Sequence, residues 1–358
     1  MKQYYRTDKI ESLKAQYNIL LGERSCGKSY AVKEKVLMKA WHEKSYFVLI
    51  RRYRDDITRT NVLNYFGDMP VMSITDGEYT GIDFYRNQLF FCKYDDDGKI
   101  HRGQFIGHVV SLNNDERIKS QAFPGVTDII YEEFITKNLY LTDEPTRLMN
   151  VISTIARDEN VTVWLVGNKI NQVCPYVYEW DLKNIPTQKA GTIDTYSFPR
   201  FDKDGNKFET LIAVENCDNF GSNSKMFFGK AAESIVGSAW ECDVCALLPE
   251  RKDVYECVYE LIFESMGFGY IMQLLVDVEN GGMFIYTYPA SRTRITRNIR
   301  RKITETFSTD PFVSSRLNDR IPAEVKMKQL LRDNKICFAT YLCGQNFKQV
   351  MKQRKGVL

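Results

Sequence analysis

The sequence predicts an α/β fold: a parallel sheet covered by helices, followed by a smaller β-rich domain. Three observations carry this. Short apolar runs alternate with amphipathic helical segments over the first half of the 358 residues. One of those runs opens directly into a glycine loop and a helix. Past residue 250 the pattern becomes three alternating runs separated by glycine turns.

The first run, Tyr17 to Leu21, reads as a buried strand. Gly22, four residues, then Gly27, Lys28 and Ser29 follow, with the helix-like "YAVKEKVLMKAWHE" behind them. That is the P-loop spacing in its required strand–loop–helix context. Gly22 and Gly27 allow the tight turn that points backbone N–H groups at phosphate oxygens. The loop Gly22, Glu23, Arg24, Ser25, Cys26, Gly27 is therefore the candidate ATP cradle. Lys28 would reach the β- and γ-phosphates, and Ser29 would hold Mg²⁺.

The second strand, Ser45 to Ile50, ends in Arg51, Arg52 and Arg54. Cations at the carboxyl end of a strand suit either a phosphate or a solvated loop. The segment 87–112 reads as a hairpin turning at Asp97-Gly98, an insertion after the P-loop half.

In "VTDIIYEEF" an apolar strand, Asp128 to Tyr131, ends in Glu132 and Glu133. This is the Walker B pattern. The first acid binds hydrated Mg²⁺, and the second positions or activates the attacking water. Glu132 stands where Asp is usual. A helix then leads to a strand at Val161 to Val166, and Asn168 after it is placed to sense the γ-phosphate. Arg157, at the close of that helix, reads as an arginine finger or as a cation at a helix C-terminus.

From about Pro186 the pattern is irregular, with a turn at Asp204-Gly205 and a polar stretch after Asn216. The expected domains are an ATPase domain over 1–200, a linker subdomain over 201–250 and a basic domain over 251–358. The last opens with a β-meander of the kind that begins an RNase H-like fold. Its carboxylates Glu264, Asp277 and Glu279 are followed by few others, too few for a two-metal nuclease. Arg292, Arg294, Arg297, Arg300, Arg301 and Lys302 come next and make a candidate nucleic-acid patch. From Tyr286 to Leu358 the net charge is +11, so the rest carries −8. Such asymmetry points to a polyanion-binding end.

No apolar run approaches the ~20 residues of a membrane span, and the charged N-terminus does not indicate secretion. The nine cysteines form no framework and are expected reduced. The lone pair Cys242 and Cys245 lacks the further ligands of a zinc site.

The chain resembles the DNA-packaging ATPases (encapsidation proteins) of phi-29-like phages, small relatives of large terminases. The resemblance rests on "GERSCGKSYA", "IRRYR", "KSQAFPGVTDIIYEEF", "TIAR", "VGN" and "VDVENGGMFIYT", in that order. It covers most of the chain, with a poor match from about Pro186 to Tyr255. It implies ATP and Mg²⁺ at Gly22, Gly27, Lys28 and Ser29, with Glu132 as the metal acid and Glu133 as the catalytic glutamate. It implies a trans-acting finger at Arg157 and cations acting across the subunit interface at Arg54 and Lys119. Arg54 stands for a lysine, and the two are not interchangeable. A homomeric ring is implied, a pentamer by the same resemblance. That ring would sit at the portal vertex of a procapsid in the host cytoplasm and drive double-stranded DNA inward. A packaging RNA joins it in some members. The C-terminal domain would be nuclease-like in fold and inactive. The rival expectations are a large terminase with an active nuclease, and a nucleotide-gated binding module without DNA-stimulated turnover.

Overall fold

The computed structural model describes residues 4–95, 97–157, 160–201, 205, 207–218, 245–248, 254–290 and 301–354. The chain forms two units. One comprises 1–136, 140–170 and 179–240; the other comprises 137–139, 171–178 and 241–358.

The first unit is built on one sheet of nine strands. They are β1 (Tyr17–Gly22), β2 (Tyr46–Arg51), β3 (Gly81–Tyr85), β4 (Gln88–Tyr94), β5 (Ile100–Ser111), β6 (Val126–Glu132), β7 (Thr162–Asn168), β8 (Thr192–Phe201) and β9 (Lys207–Asn216). Their order across the sheet is β3-β4-β5-β2-β6-β7-β1-β9-β8. The middle six run parallel. β3 and β4 on one flank and β8 on the other are antiparallel additions. All six residues of β1 are buried, as expected of a parallel strand covered on both faces.

The helices of this unit are α1 (Asp8–Glu11), α2 (Lys28–His42), α3 (Arg59–Phe66), α4 (Val71–Ile74), α5 (Asp115–Ile118) and α6 (Glu144–Ile155). α2 buries Ala31, Val32, Val36, Leu37 and Ala40, a helical stripe laid on the sheet. α6 buries Leu148, Val151, Ile152 and Ile155 at the same spacing. Helix α7 (Pro175–Glu179) falls where the chain returns to this unit.

Two hairpins depart from the sequence reading. The one turning at Asp97-Gly98 is no separate insertion, because the second half of β5 pairs in parallel with β2, from Phe47↔Gly107 to Arg51↔Ser111. The hairpin β8–β9 crosses the boundary expected at residue 200. β9 pairs in parallel with β1, Tyr17↔Ile212 through Leu21↔Asn216, so this segment belongs to the main sheet. The polar stretch 219–234 lies outside the described residues.

The second unit has a sheet of β10 (Tyr255–Ser265), β11 (Phe268–Asp277), β12 (Met283–Pro289), β13 (Arg301–Thr304), β14 (Val313–Ser314) and β15 (Ile336–Phe338). β10, β11 and β12 form the expected antiparallel meander. β13 joins β10 in parallel and β14 joins β13, giving the order β14-β13-β10-β11-β12-β15. Helices α8 (Pro322–Arg332) and α9 (Tyr341–Gln353) contribute Met327, Leu330, Phe347 and Val350 to a core shared with Leu261, Phe263 and Met272. Among the described residues, no helix is long and apolar enough to cross a membrane.

Candidate active site

Parallel strands place their carboxyl ends along one edge, and ligands of open α/β sheets gather there. The glycine loop follows β1, the paired acids end β6, and Asn168 ends β7, the strand between them. The sheet thus brings together three segments that are up to 140 residues apart in the chain.

Ser25 at φ +63° and Gly27 at φ +96° turn the loop through the left-handed region, and Gly27 caps α2. Such alternation aims successive N–H groups into one concavity, at the positive end of a helix. The N-terminal segment lies against the loop, the Tyr5 N–H donating to the Cys26 carbonyl at 3.3 Å. Lys28 is only 4% exposed. Its ammonium donates to the Glu23 carbonyl at 2.6 Å, the Cys26 sulfur at 3.2 Å and Asn168 Oδ1 at 3.3 Å. Lysine, loop and strand-end asparagine therefore meet. The pairing Gly22↔Asn168 is the cause.

The Ser29 hydroxyl donates to one oxygen of Glu132, and the Tyr65 hydroxyl donates to the other at 3.1 Å. Burial pushes the Glu132 carboxyl up, while the two hydroxyl donors and Arg51 pull it back. Tyr65 is itself held from α2: Lys33 donates to its carbonyl at 2.6 Å and sits 4.8 Å from the ring centre. Glu133 differs from its neighbour. Its side chain is 69% exposed, with Arg51 at 3.9 Å, and its backbone is left-handed at φ +56°. A glutamate adopts that conformation only where its surroundings impose it. Lys28, Ser29, Glu132, Glu133, Asn168 and Tyr4 all line one cavity of about 1240 Å³.

The three arginines at the end of β2 do different jobs. Arg51 faces the acids. Arg52 is buried, paired with Glu144 and bonded to the carbonyls of Glu133 and Phe134. Arg54 is exposed. Its backbone is tied down, the N–H donating to Asn113 Oδ1 at 3.0 Å. Lys119 and Arg157 are exposed as well, and Arg157 donates to the Lys119 carbonyl at 3.2 Å. Arg54 thus borders Asn113 through its backbone and Arg157 borders Lys119, whose own ammonium pairs with Glu116 at 2.6 Å.

Sequence reasoning missed Tyr65, whose contact with Glu132 spans 67 positions. It also missed Lys169 beside Glu23. Burial lowers the pKa of the Lys169 ammonium, partly offset by Glu23. The only signal for Lys169 was its place directly after Asn168.

In the second unit, Arg301 and Lys302 depart from the expected nucleic-acid patch. They are strand residues, paired with Glu324 at 3.1 Å and Glu264 at 2.6 Å. Their charges are neutralised by acids that lie far away in the chain. Arg292, Arg294, Arg297 and Arg300 lie outside the described residues, as does Cys242.

Over 295 residues the chain is 25% identical to a DNA packaging protein of Bacillus phage phi29, covering 79% of each. Over 163 residues it is 29% identical to that of Bacillus phage B103, covering 44% of this chain and 46% of the other. Its fold is similar to a chain of the bacteriophage Phi-29 viral genome packaging motor assembly, with TM-score 0.53 at 18% identity over 98% of this chain and 99% of that one. It is also similar to the Phi-28 gp11 DNA packaging motor, with TM-score 0.50 at 15% identity over 99% of both chains. Residues 1–308 match the podovirus DNA encapsidation protein (Gp16) family, and the chain belongs to that family.

Proposed function

We propose that this DNA packaging protein is the ATPase of its motor, hydrolysing ATP between neighbouring subunits of a homomeric ring and moving double-stranded DNA into a procapsid. The observation that carries the reading is the convergence of Lys28, Ser29, Glu132, Glu133 and Asn168 on one cavity. The loop amides and Lys28 would bind the phosphates, and Asn168 would report on the terminal one. Ser29 and Glu132 offer a hydroxyl and a carboxylate oxygen side by side, a donor set that suits Mg²⁺. When bound, Mg²⁺ neutralises phosphate charge. Glu132 has its two hydroxyl donors to hold it in place, which lets the longer acid serve where Asp is usual. Glu133, exposed to the cavity, is free to orient water and accept its proton.

Arg54, Lys119 and Arg157 are exposed cations, Lys119 paired with Glu116. In a head-to-tail ring, such cations on one subunit meet a different surface on the next. Arg157 would be the finger on the neighbour's γ-phosphate, and a pentamer is the ring the family resemblance implies. The portal, and in some relatives a packaging RNA, are the further partners, at the portal vertex in the host cytoplasm.

For the second unit we propose an RNase H-like domain without nuclease activity. Counted from β10, its first five strands lie in the order 3-2-1-4-5, with the fourth and fifth parallel to the first, and the short sixth strand adds beside the third. Glu264 pairs with Gly269 at one end of the β10–β11 hairpin, and Asp277 pairs with Tyr255 at the other. Nine residue steps at ~3.4 Å put about 30 Å between those ends. Two-metal catalysis needs its carboxylates around ions ~4 Å apart. Lys302 neutralises Glu264, and Asp277 accepts from the N–H groups of Glu279 and Asn280 in its own turn.

The test is the ATPase rate of wild type and Glu133→Gln, with and without long double-stranded DNA. DNA-stimulated turnover, lost in the variant, is the expected result. Nucleotide binding with a rate indifferent to DNA would favour the binding module instead.

A further inference from the structure

We propose that Arg52 is a positioning residue for the catalytic glutamate: its buried guanidinium fixes the backbone that aims Glu133, and Glu144 fixes the guanidinium. The proposal rests on the reading of Glu133 as the residue that activates water.

The geometry is that of a planar fork closed at both ends. Arg52 Nε donates to the two oxygens of Glu144 at 3.1 and 2.9 Å. The terminal nitrogens go elsewhere, one to the Glu133 carbonyl at 3.1 Å and the other to the Phe134 carbonyl at 2.8 Å. Two successive carbonyls on one rigid fork fix the peptide plane between residues 133 and 134. The Phe134 N–H donates on the other side to the Val166 carbonyl at 3.4 Å. The left-handed backbone of Glu133, φ +56°, is thus held from both sides.

The fork cannot drift. Arg52 is 8% exposed and Glu144 fully buried. The same carboxylate also accepts from the Tyr131 hydroxyl at 2.7 Å and the Leu141 N–H at 2.8 Å. The rings of Tyr131 and Tyr140 lie 5.7 and 5.2 Å from the guanidinium carbon. A core ion pair would need only Glu144. Here both remaining nitrogens are spent on the two residues that carry the catalytic acid. Lysine has no such fork.

The test uses the full chain and four variants: Arg52→Met/Glu144→Leu, Arg52→Lys, Glu133→Gln, and the first combined with Glu133→Gln. Replacing both members of a buried pair by apolar residues is commonly tolerated by the fold. Binding of a fluorescent non-hydrolysable ATP analogue reports an intact cradle. The double variant should bind the analogue within about threefold of wild type, with KM little changed and kcat lowered about 100-fold, the scale of a small misplacement. Arg52→Lys should lose about tenfold in kcat. Combined with Glu133→Gln, the double change should lower the residual rate no further, because groups acting as a unit are not additive.

A double variant that turns over within about threefold of wild type, while Glu133→Gln is inactive, would overturn the proposal. So would losses that multiply in the combined variant, or loss of analogue binding in both the double variant and Arg52→Lys. Full turnover in Glu133→Gln would overturn the reading of Glu133 itself, and this proposal with it. That single variant therefore separates the two failures.

Discussion

Arg157 is exposed, and the contact seen for its side chain is a hydrogen bond to the Lys119 carbonyl at 3.2 Å. Truncating it to alanine strands no buried group, so folding stability should move by no more than about 0.5 kcal/mol. Losing an arginine finger costs at least ~10³ in turnover, about 4 kcal/mol of transition-state stabilisation. Glu133→Gln should be equally silent, for a defect on the other side of the interface. A working site then needs Glu133 from one subunit and Arg157 from its neighbour. When the two inactive proteins are mixed equally before ring assembly, about one interface in four draws both. Phosphate release with DNA present should recover to about a quarter of the wild-type rate if interfaces fire independently. The recovery should peak near equal proportions. A mixture that never exceeds the mean of its parents, at any ratio, would refute a finger acting across the interface.

Glu144→Leu alone leaves Arg52 charged, buried and unpaired, which should cost about 3–5 kcal/mol. For a unit of this size that lowers Tm by roughly 6–20 °C, and adding Arg52→Met should restore most of it; an unchanged Tm in the single variant would refute the buried-pair reading. Tyr65→Phe removes one of the two hydroxyls on Glu132, a hydrogen bond worth about 0.5–1.5 kcal/mol. The Mg²⁺ needed for half-maximal binding of the nucleotide analogue should rise by up to about tenfold, and an unshifted titration would remove Tyr65 from the site. Burial raises the Glu132 carboxyl above its unfolded value, so the fold favours its protonated form. Its stabilising contribution is present below the unfolded pKa and is lost as pH rises through the folded one. Metal-free Glu132→Gln should therefore be more thermostable than wild type at about pH 8, with the gap closing toward about pH 5. A gap that ignores pH would contradict this.

The parts of the site legible in the sequence were the local ones. Strand, glycine spacing and helix lie within 26 residues, Tyr17 to His42, and two acids after an apolar run are a local pattern too. What stayed hidden depends on pairing across the sheet. "IRRYR" offered three cations, and only the exit of β2 decides that Arg51 meets the acids, Arg52 enters the core and Arg54 stays outside. The turn at Gly205 was visible, but the parallel pairing of β9 with β1 joins positions 195 residues apart and leaves no local trace. Arg301 and Lys302 looked like free charge because their acids, Glu324 and Glu264, sit 23 and 38 positions away.

Helix α6 begins at Glu144, clamped on Arg52, and ends at Ile155, two residues before Arg157. Twelve residues at ~1.5 Å make a rod of about 18 Å, held by the buried Leu148, Val151 and Ile152. In the ring proposed above, one end of that rod would meet a neighbour, while the other is tied through Arg52 to the loop of the subunit's own Glu133. If Arg157 is the finger, a tug on it would reach Glu133 of the same chain along this rod, a mechanical way for one member of such a ring to pass the turn to the next.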